Sequence, residues 1–500
     1  MEFKYISEDV EKSIIEIVHK IHRNPELSYH EFETTKLIAA ELEKMGVELL
    51  EKQPETGVLG LLRGNLPGPT IAIRADIDAL PVDEDAEHEV RSENQNVMHA
   101  CGHDFHTSAL LGAAMALCKK RDEIPGNILF VFQPAEEKGS GADVIISTGV
   151  FEQYRPKAFF SIHIKPDIPK GKIGIRKGPI MAAMCTFRIH IIGKGGHGAT
   201  PHLATDPIIA AAHVLDALQC IRSRWTDPAQ PFTLSICSIH GGSACNVIPD
   251  DVYMEGTFRS TVDSREDTVK KQITEVCDSV SKAHGCTAEC EFLKEAPPLV
   301  NDEKLADIAH EAAAELFGED KILVQDFWMA SEDFSFYREI APVFMYHVGV
   351  GKEDGSSASL HNPGFFAPDE TAPFCAELLA GTALTALKKR IRRLKTHKTP
   401  NALQKNNPGN LDFTRLPGIF YFIPTRCRDL HLKQFCLEDI APAILIILIT
   451  HIVLAVRWML IKILSAVINH HGRVKTVVSG GCHPNNDIIR KIDLKIKMLL

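Results

Sequence analysis

His99-Ala100-Cys101-Gly102-His103-Asp104-Phe105-His106 gathers three imidazoles, a thiol and a carboxylate into eight residues. Thiolate and imidazole are ligands for borderline transition metals, and a carboxylate adds a harder oxygen donor. Three other segments carry related chemistry: Gln133-Pro134-Ala135-Glu136-Glu137, Ser161-Ile162-His163 and Leu360-His361-Asn362-Pro363-Gly364. One Cys, one Glu and three His drawn from these motifs would suffice for a dinuclear metal site. Each motif alone has a plainer explanation. A single His is more often structural than a ligand, and neighbouring glutamates are usually a solvated charge pair. Their joint occurrence favours a metal centre.

The spacing adds detail. Cys101 and His103 stand two apart, directly before an apolar stretch that reads as a helix, so one loop can aim both at one point. Asp104 is the expected partner that fixes the tautomer of His103, with His106 as a further support. Glu136 and Glu137 follow a strand-like run, where two like charges are costly unless a cation neutralises one. A metal site divides their work: one carboxylate binds metal while the other takes the proton of an activated water. His163 closes an apolar run, and His361 lies in a Pro- and Gly-containing loop of the kind that carries functional side chains.

These segments need a scaffold. Glu11 to His22 and Glu31 to Met45 show apolar residues at helical spacing, with Gly46 a plausible C-cap. Gly57–Leu62, Thr70–Asp76 and Asn127–Phe132 read as strands, the last buried on both faces. Strands alternating with helices, such as His106 to Leu117, imply an α/β sheet. From about 178 the texture changes to the alternation of half-exposed strands, as in Thr186–Ile192. Helices over Asp206 to Arg222 and Ser264 to His284, with strands near 232–240, 251–260 and Thr287 to Leu293, predict a four-stranded antiparallel sheet covered by two helices. The α/β pattern resumes from Pro298.

Five hundred residues exceed what one core usually serves. The net charge of −10 argues against nucleic acid as a partner. Residues 391–500 carry 17 basic against 6 acidic residues, an excess of 11, so residues 1–390 carry −21. The 13 Cys lack the spacing of a disulfide scaffold, and the N-terminus has no apolar signal-like run, so a cytoplasmic protein with free thiols is expected.

The motifs, in order, resemble those of the dinuclear metal amidohydrolases that include hippurate hydrolase, indole-acetyl-amino-acid hydrolase, N-acetyldiaminopimelate deacetylase and bacterial N-acyl-amino-acid amidohydrolases. Aminoacylase-1 and the glutamate-releasing carboxypeptidases are more distant relatives. The resemblance runs from residue 7 to about 390. It rests on Arg74-Ala75-Asp76-Ile77-Asp78-Ala79-Leu80-Pro81, Met98 to Asp104, Pro134 to Glu137, Ser331-Glu332-Asp333-Phe334-Ser335 and Leu360 to Pro363. The chain matches the Cys-containing branch.

The resemblance implies a mixed-sheet α/β catalytic domain in two parts (1–177 and 295–392) with an inserted α+β lid and dimerisation domain (178–294). It implies that Cys101, His103, Glu137, His163 and His361 hold two divalent ions (Zn, Mn, Ni or Co), with Asp76 behind the ligands. Glu136 is then the general base that generates a metal-held hydroxide to attack the amide of an N-acyl amino acid. His197, in Gly193 to His202, matches a loop whose His reaches a partner subunit's active site, with His202 a weaker candidate. Asn246 and Arg259 are candidate substrate contacts, Arg259 for the carboxylate. A dipeptidase or carboxypeptidase on the same scaffold, and a metal-binding relic without activity, are the alternatives.

Residues 393–500 lie outside the resemblance. Ile440 to Val456 is strongly apolar and the pattern continues to Ile468, at the lower limit for spanning a bilayer. A membrane anchor, a packed helical hairpin and a non-native extension are the competing readings, and truncation after residue 395 is expected to leave activity intact.

Overall fold

The structure, a computed structural model, describes residues 3–85, 89–261 and 266–389. The apolar segment 440–468 lies outside the described residues. Among the described residues no helix is long and apolar enough to cross a membrane.

Eight strands form one mixed sheet, in the order Glu48–Leu49, Val58–Arg63, Pro125–Gln133, Leu66–Asp76, Phe159–Pro169, Val343–Gly351, Ile173–Ile175 and Ile322–Val324. The central strands Pro125–Gln133, Leu66–Asp76, Phe159–Pro169 and Val343–Gly351 run parallel to one another. Ile128 to Phe132 are fully buried, as a strand covered on both faces requires. One layer covering the sheet contains the helices Glu8–Arg23, His103–Cys118, Glu303–Phe317 and Thr371–Lys388. Glu8–Arg23 turns Val10, Ile14, Ile17, Val18 and Ile21 inward, and places acids in its first turn and bases in its last, as the helix dipole favours. In a parallel arrangement the carboxyl ends of the strands open a crevice for ligands. Asp76 and Gln133 lie side by side at that end.

The second sheet has four antiparallel strands, in the order Phe232–His240, Asp251–Ser260, Ala183–Ile192 and Thr287–Ala296. The last strand extends three residues beyond the expected Leu293, after a bulge between Phe292 and Lys294. The helices Pro207–Ser223 and Glu266–Ala283 close a separate core over one face, around Phe187, Val214, Phe258 and Ile273. Asp206 caps the first of these helices by accepting from the Ile208 N–H.

Candidate metal centre

Four chain segments converge at the carboxyl end of the large sheet, and Asp78 ties two of them together. Its Oδ1 accepts from the Glu136 N–H at 3.1 Å and lies 3.2 Å from His103 Nδ1. Its Oδ2 accepts from the Glu137 N–H at 3.1 Å and from the Ser28 hydroxyl at 2.7 Å. Burial by itself would raise the Asp78 carboxyl, but the bond from His103 and its charge, with those from Ser28 and Glu137, hold it below its ordinary value. The Glu136–Glu137 loop is gripped from its other side as well. Ala135 takes a left-handed φ of 53°, and its N–H donates to the buried Glu31 Oε1 at 2.8 Å.

His103 opens its helix. Gly102 before it has φ 79°, and a Cβ there would lie 2.3 Å from Ile164 Cδ1, so this turn needs glycine. His103 Nδ1 donates to the Asp78 carbonyl at 2.9 Å, while its Nε2 is buried without a hydrogen-bond partner. A ring with one nitrogen anchored to a second residue and the other bare is what a metal-ligating imidazole presents. His163 repeats the pattern: Nδ1 donates to the Ile164 carbonyl at 2.7 Å, and Nε2 lies 3.5 Å from Cys101 Sγ. His361, with φ 61°, donates its N–H to the Ala100 carbonyl at 2.8 Å, and its Nε2 lies 3.1 Å from Glu137 Oε1.

The donor atoms fall into overlapping groups. Those of Cys101, His103 and His163 lie within 4.8 Å of one another, and so do those of Cys101, Glu137 and His361. Glu136 forms a third group with Glu137 and His103. Thiol, imidazole and carboxylate in two triads that share Cys101 fit two borderline divalent ions.

The surroundings are strongly anionic. Arg74, fully buried, bonds Asp76 at 2.7 Å, Glu332 at 2.9 Å, Asp333 at 3.0 Å and the Gln133 amide oxygen at 3.0 Å. One guanidinium thus faces three carboxylates, with Glu136 and Glu137 beside them. Burial, then the charges of Glu332, Glu137 and Asp333, push the Glu136 carboxyl well above its usual range. Burial raises Glu332 to about 7 and Asp333 to about 6 against the opposing charge of Arg74. Burial and then Glu137 and Glu136 raise the Cys101 thiol. Divalent cations would neutralise this excess and reverse the sign for the thiol.

Asp104 is a correction to the expectation from sequence. Its Oδ2 bonds His22 Nδ1 at 2.7 Å, and Asp78 takes its expected place at His103. Adjacent helical residues diverge by about 100°, so Asp104 points to the first helix while His103 points to the cleft. Asp76 holds His106 Nδ1 at 2.6 Å and lies 3.7 Å from His103 Nε2. His106 Nε2 in turn accepts from the Ile164 N–H at 3.0 Å, beside the candidate ligand His163.

A cleft of about 460 Å³ exposes Cys101, Glu136, Glu137, His163 and His361, and Arg259 joins them from the four-stranded sheet. One guanidinium nitrogen of Arg259, Nη1, is buried without a hydrogen-bond partner among the described residues. His197 and Asn246 are not in this wall. His197 sits on a two-stranded ribbon, Gly196–His197 against Val247–Ile248, Asn246 lies in the turn just before the second of these strands, and both are exposed. Sequence reasoning gave no role to Asp78, Arg74 or Glu31. The pair of carboxylates in Asp76-Ile77-Asp78, closing a strand, was the one available signal for Asp78.

Residues 72–385 match the model of peptidase family M20/M25/M40. The chain belongs to this family. It is 40% identical over 373 residues to thermostable carboxypeptidase 2 of Saccharolobus solfataricus, covering 74% of this chain and 92% of that protein. It is 41% identical over 365 residues to N-acetyl-L-cysteine deacetylase of Bacillus subtilis, covering 73% of this chain and 85% of that protein. Among solved structures, the Bacillus subtilis YXEP protein, described as a dinuclear metal binding peptidase of the M20 family, superposes with a TM-score of 0.68 at 34% identity, over 76% of this chain and 99% of that one.

Proposed function

We propose that this M20 hydrolase cleaves the amide bond of N-acyl amino acids, giving a carboxylate and a free amino acid. The observation that carries the reading is the convergence of Cys101, His103, Glu137, His163 and His361 beside Glu136, in a cleft that Arg259 also lines. The five side chains would hold two divalent ions, of Zn, Mn, Ni or Co. When bound, such a pair supplies Lewis acidity that polarises a carbonyl and makes water acidic near neutral pH.

The remaining roles belong to the protein. Glu136 stands beside Glu137 and His103 but belongs to neither of the triads that share Cys101, so it is free to take the proton of the attacking water and return it to the leaving amine. Arg259 pairs with the substrate's α-carboxylate through its free guanidinium edge. Trp328, Met181 and Met184 wall the cleft for the acyl group. His197 Nδ1 accepts from the Ala199 N–H at 3.0 Å, leaving Nε2–H to donate to an oxyanion across a homodimer formed through the four-stranded sheet unit.

The identity to a protein named carboxypeptidase favours peptides as a second substrate class, since a peptide bond next to a free carboxylate presents the same groups. A panel of N-acyl amino acids and dipeptides, with each metal restored to chelator-stripped protein, decides between them. Glu136→Gln should bind metal as the wild type does and lose turnover by about 10²–10⁴-fold. Full turnover in that variant eliminates Glu136 as the base.

A further inference from the structure

A second cavity of about 490 Å³ adjoins the catalytic cleft, and Trp328 and Leu360 line both. Its wall includes Lys165, two residues beyond His163 on the strand Phe159–Pro169. Successive side chains on a strand alternate faces, so Lys165 leaves the sheet on the same side as the metal-ligand candidate. Its side chain is only 7% exposed. The ammonium lies 4.5 Å from the centre of the Trp328 ring, and the same indole stands edge-on to His163 with ring centres 6.1 Å apart. A buried cation is therefore set one indole away from the reaction centre.

Among the described residues its one carboxylate partner is Asp167, at 2.9 Å, and that side chain is 66% exposed. An ammonium has three donors. A buried ammonium paired with a carboxylate that can swing into water is suited to exchanging that partner for a ligand anion. Lys352 adds positive charge at the cavity, and Glu353 offsets it.

We propose that this cavity is a subsite for a substrate carboxylate carried on the far end of the acyl group, with Lys165 as the specificity-determining cation. The inference rests on the N-acyl amino acid reading above. Arg259 comes from the four-stranded sheet and Lys165 from the eight-stranded one. A substrate whose α-carboxylate meets Arg259 directs its acyl end toward the large sheet, past Trp328. The preferred acyl groups are then half-amides of dicarboxylic acids rather than simple alkanoyl groups.

The test is a ratio of kcat/KM values on metal-loaded enzyme: N-succinyl-, N-glutaryl- and N-adipoyl-L-alanine, each against the alkanoyl compound of equal chain length. Wild type should favour the best diacid derivative. Lys165→Met should lower that ratio by about tenfold or more, as the loss of a hydrogen bond to a charged group implies. Asp167→Asn removes the competing carboxylate at an exposed position and should raise the ratio. It decides the matter alone if Lys165→Met is inactive on every substrate. A ratio that neither variant moves overturns the subsite. A Lys165-dependent preference for N-acetylglutamate over N-acetylglutamine places the anion on the amino acid side and overturns the acyl assignment. Cleavage of N-acetyl-alanine with no preference for diacids refutes this inference alone, whereas cleavage of no N-acyl amino acid refutes the amidohydrolase reading and this inference with it.

Discussion

Replacing Asp78 by Asn isolates the feature on which the metal centre depends. The substitution keeps shape and volume but turns one oxygen into an NH₂ donor. Each carboxylate oxygen now serves two donors: His103 and the Glu136 N–H on Oδ1, Ser28 and the Glu137 N–H on Oδ2. The Ser28 hydroxyl can rotate to accept, whereas an imidazole N–H and two backbone N–H groups cannot. The new NH₂ therefore settles at the Oδ2 position and faces the Glu137 N–H. One charge-assisted bond is lost, worth about 1.5–3 kcal/mol. His103 keeps its carbonyl bond to residue 78 but loses the anion that raises its basicity. Loss of such a supporting partner weakens metal binding by about 10–100-fold. Competition with a chelating dye, on protein stripped and then titrated with Zn or Mn, measures the affinity, and thermal denaturation of the stripped protein measures the stability. A variant that binds metal within about twofold of wild type and melts at the same temperature would show that Asp78 is a bystander, and the account of how the ligands are positioned would fail.

Three further outcomes are expected. His22 sits between Asp104 and Glu84; burial alone would lower it, but the bonds to Asp104 and Glu84 raise it from 6.5 to about 10. A group raised in the folded state contributes its stability fully below pH 6.5, and that contribution is lost as pH rises from 6.5 toward 10. His22→Gln in metal-stripped protein should therefore be destabilised most at pH 6, by a few kcal/mol, and the gap from wild type should narrow toward pH 10 in paired thermal melts. Gly102→Ala meets both a left-handed φ and Ile164, and should cost about 2–4 kcal/mol, seen as a fall of several degrees in Tm together with weaker metal binding. Truncation after residue 395 should leave kcat/KM unchanged, because every group described at the candidate site lies between His22 and His361.

Most residues that could be named from the sequence share a property: they stand where regular structure stops, the exception being His163, which was expected at a strand end but lies within the strand Phe159–Pro169. Glu136 and Glu137 follow a strand at a proline, Cys101 and His103 flank a glycine before a helix, and His361 precedes a proline. Such endings are marked by local composition, and local composition is what one sequence reveals. The supports are of another kind. Arg74 lies inside an apolar strand and meets Glu332 and Asp333 only through the fold, across a separation of more than 250 residues. Glu31 reaches the Ala135 N–H across 104 residues. Nothing near either residue in the chain announces these partners. Asp104 shows the opposite failure, since proximity in sequence suggested a contact with His103 that helical geometry forbids. The sheets were readable for the reason the endings were: period-two alternation and buried apolar runs are local signals. The anionic cluster beneath the site was not, because it is built from single residues of distant strands and turns.

Backbone strain shows how the centre is held. Four non-glycine residues among those described have positive φ: Tyr29, Asn96, Ala135 and His361. Two of them carry or adjoin candidate ligands, and a third, Tyr29, donates or accepts a bond with Ser140 just beyond the Glu136–Glu137 loop. Each such residue costs of order 1–3 kcal/mol and persists only where neighbours over-determine it. Here the neighbours are the Glu31 carboxylate at Ala135 and the Ala100 carbonyl at His361. The second bond joins the His361 loop to the Cys101 segment directly, so two candidate ligands distant in the chain are fixed by a main-chain contact that needs no ion. The same holds for His103 and Glu137, which meet on Asp78. Protein–protein bonds thus set the ligand positions, and metal affinity is carried mainly by donor chemistry and by the negative charge that Arg74 leaves uncompensated. In a site built this way, substitutions at the supporting carboxylates weaken metal binding while every ligand is still present.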